Sequence, residues 1–332
     1  MHTNIALKHV IFREFHVKFL NKYTYMKNIK YIFILLLFPL LANSQNTETE
    51  NNKSGNDKSP ESRQELSGSI GGGYSSLQYT PTIGDYKFGL GGQFGIGYTY
   101  LFKPQWGIST GLELSVYNAE ITLTGHKDRY QSPIDDEEEY NRMTILVDKF
   151  DNFEEKQRAY YLNIPIMLQY QGNGEEGDKF YAALGGKLGI PVQCKYKSVG
   201  DYLTRGQYVF TQDIMVDMPE HGFNSYDALQ ADEKIKLNLN FQLSGELGYK
   251  WHLDEDWYLY TGVYCDYGLN DIRKTRNNPY HVLQYNRDNP VKYIINSVAE
   301  SQYTNEKGNY NYIKKMNTLS FGIKLKVAFK LD

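Results

Sequence analysis

Between Tyr86 and Phe102 the chain alternates without a break for 17 residues. The even positions carry Tyr86, Phe88, Leu90, Phe94, Ile96, Tyr98, Tyr100 and Phe102, with one glycine among them. The odd positions are small or polar apart from Leu101: Lys87, Gln93, Thr99 and four glycines. Period-2 alternation is the mark of a strand with one apolar face. Seventeen residues is far longer than the usual strand of about 5–6 residues in a soluble sheet. The same pattern recurs at 66–74, 106–116, 160–170, 180–194, 237–251, 257–267 and 319–331. Those eight segments hold 55 positions on the apolar face, and none carries Asp, Glu, Lys or Arg. The charges fall on the opposite face: Lys87, Glu113, Lys187, Glu246, Asp266, Lys324 and Lys326.

A soluble sandwich also alternates, because it buries one face of each sheet. The connections separate the two readings. Phe102 and Trp106 flank the turn Lys103-Pro104-Gln105, Tyr170 and Phe180 flank 171–179, and Trp251 and Trp257 flank 252–256. All three tryptophans stand at these short connections. Amphipathic rings favour a membrane interface, so Phe102, Trp106, Tyr170, Phe180, Trp251 and Trp257 read as an aromatic girdle. The other connections, about 75–85, 119–158, 196–235 and 269–316, are long. Short turns on one side and long loops on the other are the outer-membrane arrangement. The expected fold is all-β: an eight-stranded antiparallel up-and-down transmembrane β-barrel with both termini in the periplasm.

The N-terminal region supplies a route to that membrane. The apolar run Tyr31–Leu41 is about half of what a spanning helix needs. Lys27 and Lys30 precede it and Ala42-Asn43-Ser44 follows, the layout of a secretory signal peptide. Cleavage is expected after Ser44, with Gln45 as the new N-terminus. Met26 is the expected start of translation, because residues 1–25 would make an n-region of unusual length. Residues 45–65 lack aromatics and read as a flexible periplasmic tail. The expected location is the outer membrane of a Gram-negative cell.

Composition narrows the function classes. Tyr counts 30 and aromatics make 15% of the chain, which argues against disorder. A net charge of -3, or -8 for residues 45–332, gives no footprint for nucleic acid. Two cysteines make no disulfide scaffold. Cys194 and Cys265 are expected on the lipid-facing side.

Four runs carry a family resemblance. YLNIPIMLQY (Tyr161–Tyr170) resembles the Tyr-Leu-x-Ile-Pro-Leu-Leu-Leu-x-Tyr strand of the PorT-like outer-membrane β-barrel family. KFYAALGGKLGIPV (Lys179–Val192), DYGLNDI (Asp266–Ile272) and LSFGIKLKVAF (Leu319–Phe329) are similar to its next strand, its penultimate strand end and its last strand. The resemblance covers 66–332 and implies an outer-membrane barrel of about eight strands, usually of unassigned function. The last strand here runs on to Leu331-Asp332 instead of stopping on an aromatic, a departure from the assembly-machine signal.

The search for chemistry finds structure. GLGGQFGIG (Gly89–Gly97) lies inside a strand with no helix after it, so it lacks phosphate-loop geometry. The interior of an eight-stranded barrel is only wide enough for side chains to fill it. Glu113, Lys187, Glu246 and Lys324 stand at similar heights with opposite signs and are expected to pair there. The histidines His126, His221, His252 and His281 form no Asp-His strand-top motif, and Asp135–Glu139 lacks calcium-loop spacing. Loop 120–157 carries net -6 and 269–315 net +4, which suits either a folded cap or a binding surface. The expected function is non-catalytic, structural or binding through the surface loops. A small-solute porin and a lipid- or peptide-modifying enzyme are the alternatives. No cofactor, metal or catalytic residue is expected. The expected partners are outer-membrane lipid, the barrel assembly machinery, and a protein or glycan ligand at the outer loops.

Overall fold

The computed structural model describes residues 63–131, 143–172, 178–209, 213–274 and 280–331. The signal peptide, residues 45–62 of the tail and the acidic run Asp135–Glu139 lie outside the described residues.

Eight strands of 12 to 30 residues make the framework. They are β1 (Gln64–Pro81), β2 (Leu90–Lys103), β3 (Trp106–Leu123), β4 (Met143–Gln171), β5 (Lys179–Tyr208), β6 (Asn240–Asp254), β7 (Trp257–Gly268) and β8 (Ile313–Leu331). Each pairs antiparallel with its neighbours in sequence along β1 to β8, and β8 pairs with β1 over 64–81 and 313–331. Shorter strands extend the sheet: Asp85–Phe88 on β3, His126–Gln131 on β4, and Ser225–Ile235 on β5. The fold is all-β and antiparallel, save for a bridge at Ser76 and Asn118 and a short parallel pair at 280–281 and 301–302.

The apolar face points outward. Leu90, Phe94, Ile96, Ile166, Leu184, Val263 and Ile323 are exposed, while the interleaved Gln93, Glu113, Lys187 and Lys324 are buried. Trp106 pairs with Tyr170 at one end of this face and Val116 with Tyr160 at the other. Ten residue intervals at about 3.3 Å, tilted by about 40°, give a band of roughly 25 Å, the apolar height of an outer-membrane barrel. Small residues on the inward face let neighbouring strands curve. A Cβ on Gly185 would stand 2.1 Å from the Ile166 carbonyl oxygen.

Two register breaks correct the sequence reading. The run 86–102 is not one strand: it is interrupted at Gly89, where the chain crosses Asn118 so closely that a Cβ would meet its backbone at 2.5 Å. Beyond the break the faces differ from expectation. Tyr86 turns in, hydrogen-bonding Ser76 Oγ at 2.5 Å, and Lys87 turns out to pair with Glu120 at 2.6 Å. The second break is a bulge on β5. Tyr160 pairs with Gln193 but Tyr161 with Pro191, so Val192 is the extra residue. A bulge shifts the face pattern by one. Cys194 is therefore buried rather than lipid-facing, whereas Cys265 is exposed as expected.

Much of what reads as long loop is strand. β4 begins at Met143 and β5 runs on to Tyr208, well past the ends at 160 and 194. β1 likewise begins at Gln64, so the end of the tail is paired chain. The extended strands enclose residues 280–313, which fold as a cap. Val282, Leu283, Tyr293, Ile295, Val298 and Tyr312 are buried against Ile145, Phe150, Phe153, Tyr196 and Tyr202 of β4 and β5.

Candidate functional site

The interior of the banded region is a chain of alternating charges. Ser244 Oγ donates to Asp266 Oδ1 at 2.5 Å, and Asp266 Oδ2 faces Lys187 Nζ at 2.9 Å. Lys187 also bonds Glu113 Oε1 at 2.7 Å. The other oxygen of Glu113 lies 3.3 Å from Lys324 Nζ, which reaches Glu246 Oε1 at 2.5 Å. β3, β5, β6, β7 and β8 thus each supply a member of one zigzag, Asp266–Lys187–Glu113–Lys324–Glu246. The structure places all four residues singled out in the sequence, Glu113, Lys187, Glu246 and Lys324, in this one cluster.

A second group lies toward the short turns. Lys250 Nζ bonds Glu65 Oε1 at 2.5 Å, and Tyr260 Oη donates to Glu65 Oε2 at 2.6 Å. Lys326 sits over the rings of Tyr260 and Tyr181, 4.3 and 5.4 Å from their centroids. Sequence reasoning missed Glu65 and Lys250. Lys250 shares the parity of Glu246, the signal that points to it; Glu65 stands one residue before the alternating segment 66–74. The buried carboxylates Glu65, Glu113 and Asp266 and the shielded side chain of the half-buried Glu246 then face four buried ammonium groups (Lys187, Lys250, Lys324, Lys326), a balance of zero when all are ionised. Beside Glu113, Glu246 and Lys324 about 40 Å³ of free space remains, room for a few waters at most.

Above the charges the interior becomes amide and ring. Asn163 Nδ2 donates to Ser115 Oγ at 2.8 Å, and Gln242 Nε2 reaches Tyr117 Oη and Asn163 Oδ1 at 3.3 Å each. Tyr117 and Tyr161 meet edge to face at 6.0 Å and form the floor of the cap.

Tyrosine hydroxyls and two carboxylates, Glu155 and Asp128, hold the cap. Tyr130 Oη donates to the Leu283 carbonyl at 2.7 Å and accepts from Tyr285 N at 2.8 Å. Tyr196 Oη donates to the Ile295 carbonyl at 2.8 Å. Glu155, fully buried, accepts from Ser297 Oγ at 2.6 Å, Gln157 Nε2 at 2.5 Å and Val298 N at 3.1 Å. Burial outweighs these three donors and pushes its carboxyl up to about 7. Between 120–157 and 269–315, Asp128 meets His281 at 2.7 Å, an ion pair only when the imidazole is protonated. Apolar burial and tyrosine bonds to the backbone fold the cap.

Asp128 and His281 are an acid–histidine pair that sequence reasoning did not find, because 153 residues separate them. His281 Nδ1 lies 2.7 Å from Asp128 Oδ2, Thr304 N donates to Asp128 Oδ1 at 2.8 Å, and Tyr130 stacks on the imidazole at 4.1 Å. His126 packs edge-on to Tyr303 at 4.6 Å. His221 ends a short 3-10 turn, and His252 lies at the β6–β7 hairpin. No group of three or more metal-ligating side chains occurs among the described residues.

The six ring residues at the short turns lie on the outward face. Phe102, Trp106, Phe180, Trp251 and Trp257 are exposed and Tyr170 half-exposed; Trp106 meets Tyr170 at 5.0 Å and Trp257 meets Phe329 at 5.0 Å.

An outward apolar band, an inward charged face and a sheet whose eight long strands pair antiparallel with their neighbours define a membrane β-barrel protein of the outer-membrane class. The chain belongs to the family described as outer membrane protein beta-barrel domain, which matches residues 43–274. Among solved structures it is similar to Neisserial surface protein A at 10% identity, with 82% of this chain and 99% of that chain covered and a TM-score of 0.34. It is also similar to the outer membrane protein OprG from Pseudomonas aeruginosa at 16% identity, with 82% and 98% covered and a TM-score of 0.30. No curated protein matches the chain.

Proposed function

We propose that the chain is a closed, eight-stranded outer-membrane barrel that conducts no solute and acts through its outer cap as a non-catalytic structural or binding protein. The cyclic pairing of β1 to β8 supports the strand count. The observation that carries the function is the filled interior. Five charged side chains bridge the bore within hydrogen-bond distance of one another, and the buried cap stands above them. Phe102, Trp106, Tyr170, Phe180, Trp251 and Trp257 form the periplasmic girdle, and the cap faces outward. Export uses the signal peptide ending at Ser44, with a PorT-like barrel following. Partners are outer-membrane lipid, the assembly machinery, and a protein or glycan ligand at the cap.

Planar-bilayer recording of the refolded protein tests this reading. The expected result is no stable conductance. An ohmic conductance of porin size would establish the small-solute porin instead. One observation favours an enzyme as the second reading: Asp128 holds His281 by Nδ1, the way a carboxylate orients a general base. Retention of a hydrolytic or transfer activity by wild type and its loss in His281→Gln would establish that reading.

A further inference from the structure

On the outer face, one pleat beyond the apolar band, three strands place cations side by side. Arg158 on β4 stands directly opposite Lys195 on β5, and Lys195 stands directly opposite Lys234 on the strand Ser225–Ile235. All three side chains are exposed. Like charges directly opposite on one sheet face destabilise the pairing. The row above compensates itself: Lys156 bonds Glu154 and lies 3.8 Å from Glu120, and Lys197 lies 2.9 Å from Asp232. The lower row has no such relief. Arg158 donates to Asn118 Oδ1 at 2.8 Å, and among the described residues no carboxylate pairs with Arg158, Lys195 or Lys234.

The position of this ladder is set by the band beneath it. Tyr160 ends the apolar face of β4, so Arg158 lies two residues, or roughly 5 Å in height, above the hydrocarbon edge. That is headgroup depth. A groove of about 590 Å³ opens there, and its walls are of two kinds. Phe88, Leu90 and Tyr160 are continuous with the lipid-facing surface, Leu90 being 71% exposed; Arg158, Lys195, Lys197 and Lys156 line the other side, with Glu120, whose charge is taken up by Lys87 and Lys156.

We propose that this groove binds the phosphoryl headgroup of an anionic lipid in the leaflet on the cap side, with the phosphate on Arg158 and Lys195 in the groove and on Lys234, which flanks it on the next strand opposite Lys195, and the acyl chains along Leu90 and Tyr160. The inference rests on the barrel and the cap-outward orientation proposed above. A forked guanidinium beside two ammonium groups suits phosphate oxygens. The apolar wall selects a lipid over a soluble phosphate, which would gain nothing from Phe88 and Leu90. The ligand supplies the negative charge that the lower row lacks.

Native mass spectrometry of the full chain, refolded in neutral detergent, reads the binding. The probes are diphosphoryl lipid A, the same lipid with both phosphates removed, and inorganic phosphate. Folding and cap orientation are scored separately by heat-modifiable gel mobility and by protease access to the cap in vesicles, so failure of the barrel reading is distinguishable. Wild type is expected to retain the phosphorylated lipid about tenfold better than the dephosphorylated one, and inorganic phosphate is expected not to displace it. The triple variant Arg158→Gln, Lys195→Gln, Lys234→Gln should lose that preference. The triple variant Lys307→Gln, Lys314→Gln, Lys315→Gln removes equal charge from elsewhere in the outer region and should keep it. In lipid-free detergent the first triple variant should be at least as stable as wild type, because it removes two like-charge pairs. Should it fail to fold, Lys195→Gln alone is titrated and should weaken binding severalfold. Equal retention of the two lipids by folded wild type, or unchanged retention in the folded Arg158, Lys195 and Lys234 triple variant or in Lys195→Gln, overturns the proposal. Displacement by millimolar phosphate makes the site one for a free anion and overturns the lipid assignment.

Discussion

The buried carboxyl of Glu155 makes the cap sensitive to pH, and the sign follows from its surroundings. Its oxygens accept from Ser297 Oγ, Gln157 Nε2 and Val298 N, with no cation among these partners. Ser297 in turn caps the turn Val298–Glu300, its Oγ accepting from Ala299 N at 3.2 Å. Burial raises the carboxyl from 4.5 to about 7, and the nearby Glu300 pushes the same way. Between those values the folded cap holds a proton that the open cap releases, so cap stability falls as pH rises. The contribution is fully present below about pH 4.5 and lost by the time pH passes about 7. At about 1.4 kcal/mol per pH unit the loss totals about 3–4 kcal/mol. Hydrogen exchange of the amides 296–301, corrected for intrinsic rates from pH 4.5 to 8, reads it directly. Glu155→Gln keeps the acceptor and abolishes the titration, so its opening free energy should stay flat and exceed that of wild type at pH 8. A flat wild-type profile, or an equal slope in the variant, would refute the argument.

Outward positions should reject charge: Phe94→Arg is expected to cost about 2–4 kcal/mol in urea unfolding from lipid vesicles, and a loss below 0.5 would mean that the face is wrongly assigned. Cys265 should react with a membrane-permeant maleimide in the folded protein. Cys194 should stay unmodified until the cap unfolds, since burial pushes its thiol up to about 12; equal reactivity would remove the bulge at Val192. Glu113→Ala takes a carboxylate from both Lys187 and Lys324, each of which keeps one partner, Asp266 and Glu246. Its expected cost is therefore at the lower end of about 3–5 kcal/mol for breaking a buried pair, and changing Glu113 together with Lys187 to Gln should cost less than the sum of the two single changes.

Parity made the barrel legible. Wherever the ladder is regular, one look at alternate positions assigns Phe94 to lipid and Gln93 to the interior. It failed at Gly89 and Val192, because one extra residue exchanges the two faces and leaves no compositional mark. Distance from the aromatic rim, and not parity, puts charges at one height: Lys187 and Glu113 are 74 residues apart, yet each stands seven residues from its rim residue, Phe180 and Trp106. The cap was the least legible part. Residues 280–313 show no period, since their side chains pack inside a wall built by other strands, and tyrosine-to-carbonyl bonds such as Tyr196 to Ile295 carry no sequence signature.

A single strand shows why the two halves of the protein obey opposite rules. Along β3 the inward residues run Glu113, Ser115, Tyr117, Ala119, Ile121 and Leu123, and the outward ones Leu112, Leu114, Val116, Asn118, Glu120 and Thr122. The faces never exchange, yet their polarity does. Below Tyr117 the outside is hydrocarbon, so apolar groups face out and charges survive inside only by pairing. Above it the outside is water, and the same inward face carries Ile121 and Leu123 into an ordinary hydrophobic core. β4 inverts at the same height, from Asn163 inside and Leu162 outside to Phe153 inside and Glu154 outside. The inversion level, at Tyr117 and Tyr161, marks the membrane surface from side-chain chemistry alone. Arg158, Lys195 and Lys234, which pair with no carboxylate among the described residues, lie just beyond it, at the depth where lipid phosphate would meet them.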